Sequence, residues 1–112
     1  MIASTSKQST KMPNSDFFKQ ARQQATTWAR ELLARDPKSW VILDTETTGL
    51  DPKAEVIQIG VIDGGGAVLM DNALVKPTVP ISPGAAVMHG ITSETVKNAP
   101  SFPVVLPCLH EV

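Results

Sequence analysis

The densest chemistry in the sequence lies in one short stretch, Asp44-Thr45-Glu46-Thr47-Thr48-Gly49-Leu50. In an extended chain, residues two apart face the same side with Cα atoms about 6.6 Å apart, so Asp44 and Glu46 aim two carboxylates into one space. Such a pair repels itself unless a cation stands between them. Hard divalent ions such as Mg²⁺ take carboxylate oxygens together with water and phosphate, and α/β folds put ligand sites at strand tips. Phosphoryl transfer is the chemistry this suggests. Thr47, Thr48 and Gly49 add small side chains and exposed backbone N–H groups, which let a phosphate or a sugar come close. A solvated strand end turning into a loop would show the same spacing, and the residues by themselves leave both readings open.

Those carboxylates need a strand to aim them. Trp40-Val41-Ile42-Leu43 is a continuous apolar run between Pro37 and Asp44, the pattern of a strand buried on both faces and so of the centre of a sheet. A second run, EVIQIGVID over 55–63, is rich in β-branched residues and ends in Gly64-Gly65-Gly66, after which AVLMDNALV over 67–75 resumes the apolar pattern. Two strands joined by a glycine turn form a hairpin, giving a three-stranded antiparallel sheet in the order 1-2-3. No helix pattern and no Lys-Ser/Thr pair follows the glycines, so they are turn chemistry and not a phosphate loop.

Before the sheet, residues 1–14 are too polar to pack and read as a disordered tail. From Ser15, the spacing of Phe18, Ala21, Ala25, Trp28, Ala29, Leu32 and Leu33 by threes and fours lines one face of a helix assigned to 15–38, capped by Ser15 or Asp16 and packed on the sheet. Asp36-Pro37 stops it. Beyond Val75 prolines stand at 77, 80, 83, 100, 103 and 107, so regular elements give way to loops and short helices. One short helix starts near Thr92 or Ser93, and another runs over 104–112, interrupted or delayed by Pro107.

The chain has 112 residues and a net charge of -1, split as seven basic and three acidic side chains over 1–38 against three and eight over 39–112. A basic leader meeting phosphate in front of a cation-holding body would give this split, as would two differently solvated faces. One domain, a modest aliphatic core, no span long enough for a membrane and no signal-like leader make a cytoplasmic protein the expectation. Cys108, alone, cannot form an internal disulfide and reads as a small, partly buried hydrophobe. His110 reads as solvated, Trp28 and Trp40 as core or as base-stacking platforms, and Gln58 as a polar end facing the site or an inward polar residue with an ordinary structural use.

Three segments together, VILDTETTGL, EVIQIGVI, and Pro83 followed by His89-Gly90-Ile91-Thr92, resemble the 3′–5′ exonucleases of the DEDD superfamily, in the branch of the proofreading epsilon subunit. The resemblance covers about residues 40–107 and implies an α/β, ribonuclease-H-like exonuclease fold with two divalent metals, Mg²⁺ or Mn²⁺. It makes Asp44 and Glu46 catalytic metal ligands. Thr47, Thr48 and Gly49 would hold the 3′-terminal nucleotide, Leu50 would press on the last base, and His89 would line the nucleotide pocket. The implied substrate is a nucleic acid 3′ end, DNA before RNA, with a polymerase as possible partner.

The family's second and third motifs do not appear, so 39–112 reads as an incomplete exonuclease domain lacking the second metal-binding Asp, the final Asp and the water-activating base. A two-metal site needs both halves of its clamp, and the chain alone is expected to be inactive. Two other functions compete. One is a non-catalytic fragment or interaction module. The other is a fragment of a haloacid-dehalogenase-like phosphatase, since an apolar strand followed by Asp-x-Glu-x-Thr is similar to the nucleophile strand of those enzymes, although they carry Asp at the second position.

Overall fold

The computed structural model describes residues 14–112 and divides between Arg35 and Asp36 into two compact units. Apart from Asn14, the expected tail over 1–14 lies outside the described residues. The first unit contributes one helix, α1, Ser15–Leu33. Its cap is Asn14, one residue ahead of the expected Ser15: the Asn14 carboxamide oxygen accepts the Phe17 amide at 2.9 Å. Asp16 instead occupies the first turn and Arg30 the last, where the helix dipole favours each charge.

α1 ends at Leu33, capped by Ala34, and does not reach residue 38. The reason is local. Pro37 disfavours helical backbone at Asp36, which is extended (ψ 123°) and caps a 3-10 turn, Pro37–Ser39, by accepting the Lys38 amide. The apolar stripe forms as spaced, and within the first unit no residue of α1 is buried. Among the described residues, the first unit holds no second element to cover that stripe.

The second unit is built on three antiparallel strands, β1 (Val41–Thr47), β2 (Val56–Asp63) and β3 (Val68–Leu74), in the expected order 1-2-3. The centre of the sheet is β2, which corrects the assignment of that place to Trp40–Leu43. β1 is an edge among the described residues, and Ile42 is 52% exposed. A continuous apolar run shows only that both faces of a strand are apolar; it does not show that both are covered. β2 alternates instead, with Ile57, Ile59, Val61 and Asp63 buried between half-buried neighbours. Full burial of each of these aliphatic side chains contributes about 1.5–3 kcal/mol.

Two clusters form on that row. Ile59 and Val61 pack with Val75 and Val105, and Ile57 packs with Ile91 and Val96. The hairpin turn is held by Asp63, whose Oδ1 accepts the amides of Gly65 and Ala67, both at 2.9 Å. The Trp40 ring lies against the same turn. A Cβ at Gly64 would stand 2.4 Å from the Trp40 ring, so the first glycine of the triplet is there for close approach.

Three helices follow: α2 (Pro83–His89), α3 (Ser93–Val96) and α4 (Phe102–His110). Thr92 caps α3 as expected, in a reciprocal capping box with Thr95. α4 begins two residues earlier than expected because Pro103 fits a first turn, where no N–H is needed, and it continues through Pro107. No helix among the described residues is long and apolar enough to cross a membrane.

Candidate active site

At the end of β1 the pairing slips: Glu46 lies opposite Gln58, whereas Thr47 lies opposite Val56. This bulge turns the chain out of the sheet into a loop that is closed at its base. The Thr48 amide donates to the Glu55 carbonyl at 2.9 Å, and the Glu55 amide donates to the Thr48 hydroxyl at 3.0 Å. Thr48 is 3% exposed, so its hydroxyl is spent on the loop. Inside the loop, Asp51 makes its own turn, accepting the Lys53 amide on its side chain and the Ala54 amide on its carbonyl. Leu50, between these two anchors, is fully exposed at 104%.

α2 faces this loop and is moored to it at both ends. Ser82 caps the helix by accepting the Ala85 amide on its hydroxyl, and its own amide donates to the Thr48 carbonyl at 2.8 Å. At the other end, His89 Nδ1 accepts the Ile91 amide at 3.0 Å, which puts the ring proton on Nε2, and Nε2 donates to the Thr47 carbonyl at 2.9 Å. Gly90, with φ 73°, is the left-handed residue that lets the Ile91 amide double back onto the ring. Two consecutive main-chain carbonyls thus hold the helix.

Between loop and helix lies a cavity of about 460 Å³, lined by Glu46, Thr47, Gly49, Leu50, Ser82, Gly84, Ala85, Met88 and His89. Of the residues singled out in the sequence, Glu46, Thr47, Gly49, Leu50 and His89 come together here. Two do not. Thr48 lies buried under the loop, and Asp44 borders a separate groove of about 280 Å³ with Gly60, Asp71 and Asn72. Asp44 remains on the Glu46 side of β1, being two residues upstream on one strand, and is exposed where Glu46 is half-buried.

Opposite Asp44 stands Gly60 and opposite Glu46 stands Gln58, so Gln58 shares the carboxylate face. Asn72, at φ 46°, brings its Oδ1 over Gly60, 3.1 Å from the place a Cβ would take. Among the described residues, no group of three or more His, Cys, Asp or Glu is gathered for a metal ion. Beside the loop, Glu55 accepts the Thr78 amide at 2.8 Å and the Thr78 hydroxyl. These two bonds, the hydroxyl's first, hold the Glu55 carboxyl below its ordinary value. His110 is exposed on α4 as expected, and Cys108, expected to be partly buried, is exposed there as well, since it lies off the Val105 face that meets the core.

The residues that the sequence reading missed are Ser82, Ala85 and Met88. Their signal was present in Ser82-Pro83, a cap followed by proline at the first helical position, but the six prolines around it read as loop.

Comparison with known proteins gives this arrangement a lineage. A family model described as exonuclease, RNase T, matches residues 41–112. The chain is 43% identical over 75 residues to an uncharacterized exonuclease, CP81, of Escherichia phage 186, covering 62% of this chain and 38% of that protein. It is 42% identical over 67 residues to exodeoxyribonuclease 10 of Escherichia coli, covering 59% of this chain and 30% of the enzyme. The chain therefore spans well under half the length of these relatives. Among solved structures, cell-death related nuclease 4 superposes with a TM-score of 0.53 at 25% identity, over 63% of this chain and 28% of that one. The α/β, ribonuclease-H-like fold expected from the sequence is shared with that nuclease. The antiparallel pairing of β1 with β2 and the family match leave the phosphatase alternative without support. On a match that runs over most of its length, the chain belongs to the RNase T exonuclease family.

Proposed function

We propose that this chain supplies the carboxylate pair and the end-nucleotide cavity of a metal-dependent 3′–5′ exonuclease, acting on DNA before RNA. One observation carries the reading: half-buried Glu46 opens onto a cavity of about 460 Å³ whose other wall is an apolar helix face. That volume is in the range of small-molecule sites, roughly 300–1,000 Å³, and suits one nucleotide freed from a strand end. Fully exposed Leu50 at the rim offers an apolar surface to a base. Thr47 and Gly49 border the cavity with small side chains and main-chain groups, which suit sugar and phosphate. His89, with both ring nitrogens engaged, serves by holding the Thr47 carbonyl and not by moving a proton.

Asp44 and Glu46 would hold the metal. The donor set fits a hard divalent ion, Mg²⁺ or Mn²⁺, that keeps much of its water, since two carboxylates share one strand face and no group of three or more such ligands is gathered among the described residues. When bound, such an ion supplies positive charge to a phosphate and lowers the pKa of its water. The names of other relatives, DNA polymerase III of the PolC type and DNA polymerase III subunit epsilon, support action beside a polymerase. The 112-residue chain by itself is proposed to turn over little or nothing, since its described residues present the Asp44–Glu46 pair and, with both His89 nitrogens engaged, no free imidazole base lining the cavity.

The test is end-labelled single-stranded DNA incubated with Mg²⁺ or Mn²⁺ and this chain, its Asp44→Ala variant, or a form extended by the downstream part of a relative. Shortening from the 3′ end by the extended form alone is the expected outcome. Turnover by the short chain that Asp44→Ala abolishes would overturn the inactivity. An inert extended form would overturn the exonuclease reading.

A further inference from the structure

Glu55 lies outside the cavity, yet it links the two stretches of chain that build it. Its backbone closes the Thr48–Glu55 loop, through the pair of bonds to Thr48. Its carboxylate reaches 23 residues along the sequence to Thr78, accepting both the amide and the hydroxyl. From Thr78 the chain runs to Ser82, whose amide returns to the Thr48 carbonyl at 2.8 Å. The bonds form a closed ring, from Thr48 through Glu55, Thr78 and Ser82 back to Thr48, and α2 starts at the next residue.

We propose that Glu55 is a positioning residue that sets where α2 begins relative to the Thr47–Leu50 loop, and so fixes the width of the cavity that receives a nucleotide. The nucleotide in that statement rests on the function proposed above. Bonds to an ionised acceptor are stronger than neutral ones, so the carboxylate end of the ring is its firmest long-range tie. Pro80 lies between Thr78 and the helix and Pro83 is the helix's first residue, and their fixed φ angles carry a displacement at Thr78 forward where a flexible linker would absorb it. Without Glu55, the hydrogen bond from Ser82 to Thr48 and the packing of Ile81 on the Ile57 cluster are left to hold the entry to α2.

The experiment uses the 112-residue chain and thymidine 5′-monophosphate, with affinity and amide exchange read residue by residue by NMR. Glu55→Ala and Thr78→Val should each weaken nucleotide binding, by about tenfold for Glu55→Ala, at a temperature where every variant is folded. Thr78→Ser, which keeps the hydroxyl, should bind as the parent does. A merely structural role would lower the melting temperature of Glu55→Ala without changing affinity or the exchange of the Ser82 amide. Parent-like affinity in Glu55→Ala overturns the proposal. Should the parent chain itself not bind the nucleotide, the reading of the cavity fails on its own, and Ser82 exchange decides the positioning role: acceleration of about tenfold or more in both variants supports it, and unchanged exchange overturns it. Thr78→Val serves all these comparisons if Glu55→Ala does not fold.

Discussion

His89 makes two bonds that can be cut separately. Asn at this position keeps an acceptor near the place of Nδ1, for the Ile91 amide, but cannot reach the Thr47 carbonyl. Gln keeps a donor near the place of Nε2 for Thr47 and loses the bond to Ile91. Ala loses both. A neutral hydrogen bond contributes about 1 kcal/mol net, and an orphaned buried donor costs about 1–3 kcal/mol. Ile91 is buried among Ile57 and Val96, so the loss of its partner should be the dearer of the two. Expected destabilisation is about 1 kcal/mol for His89→Asn, about 1–2 kcal/mol for His89→Gln and about 2–4 kcal/mol for His89→Ala. In a domain of this size 1 kcal/mol moves the melting temperature by roughly 4–8 °C, so thermal unfolding followed by circular dichroism should rank the variants Asn, Gln, Ala. His89→Ala within about 0.5 kcal/mol of the parent would refute the mooring of α2 through this ring, and equal losses in all three would refute the assignment of its nitrogens.

Gly64→Ala should cost about 1–3 kcal/mol, because its Cβ meets the rigid Trp40 ring at 2.4 Å, whereas Gly65→Ala, with neighbours at 3.4 and 3.5 Å, should cost far less; matched melting curves check this. Glu55 should titrate below its ordinary 4.5, and since its folded value is the lowered one, the stability it adds is present above about pH 4.5 and is lost as pH falls through the folded value. A carboxyl carbon resonance with its midpoint at or above 4.5 would contradict the bonding to Thr78. Mn²⁺ should broaden resonances near Asp44 and Glu46 with weak affinity, and Asp44→Ala should bind more weakly still; equal binding by both chains would remove Asp44 from the ligand set.

The strands were legible because short apolar runs and β-branched residues speak about local geometry, and the hairpin because three glycines have few other uses. The rank of the strands in the sheet was not, since Val41, Ile42 and Leu43 look the same at an edge as at a centre. That Asp44 and Glu46 share one side of β1 could be read from their spacing, and the start of α3 from Thr92 and Ser93. What escaped was every tie made over distance: Ser82 to Thr48, His89 to Thr47, Thr78 to Glu55. Each joins a side chain or amide to a partner 23 or more residues away, and no periodicity encodes it. The overlooked α2 has the same origin, because a short helix containing glycine and proline takes its stability from these ties and little from propensity. α1 shows the converse: its spacing was right, and spacing says nothing about what covers a face.

Both moorings of α2 end on carbonyl oxygens of the main chain, which every residue type possesses. Side chains at 47 and 50, and at 88 on the opposite wall, are thereby released from the task of holding the walls together. Natural variation can redraw the rim of this pocket, exchanging one base preference for another, without loosening the frame on which the rim is mounted.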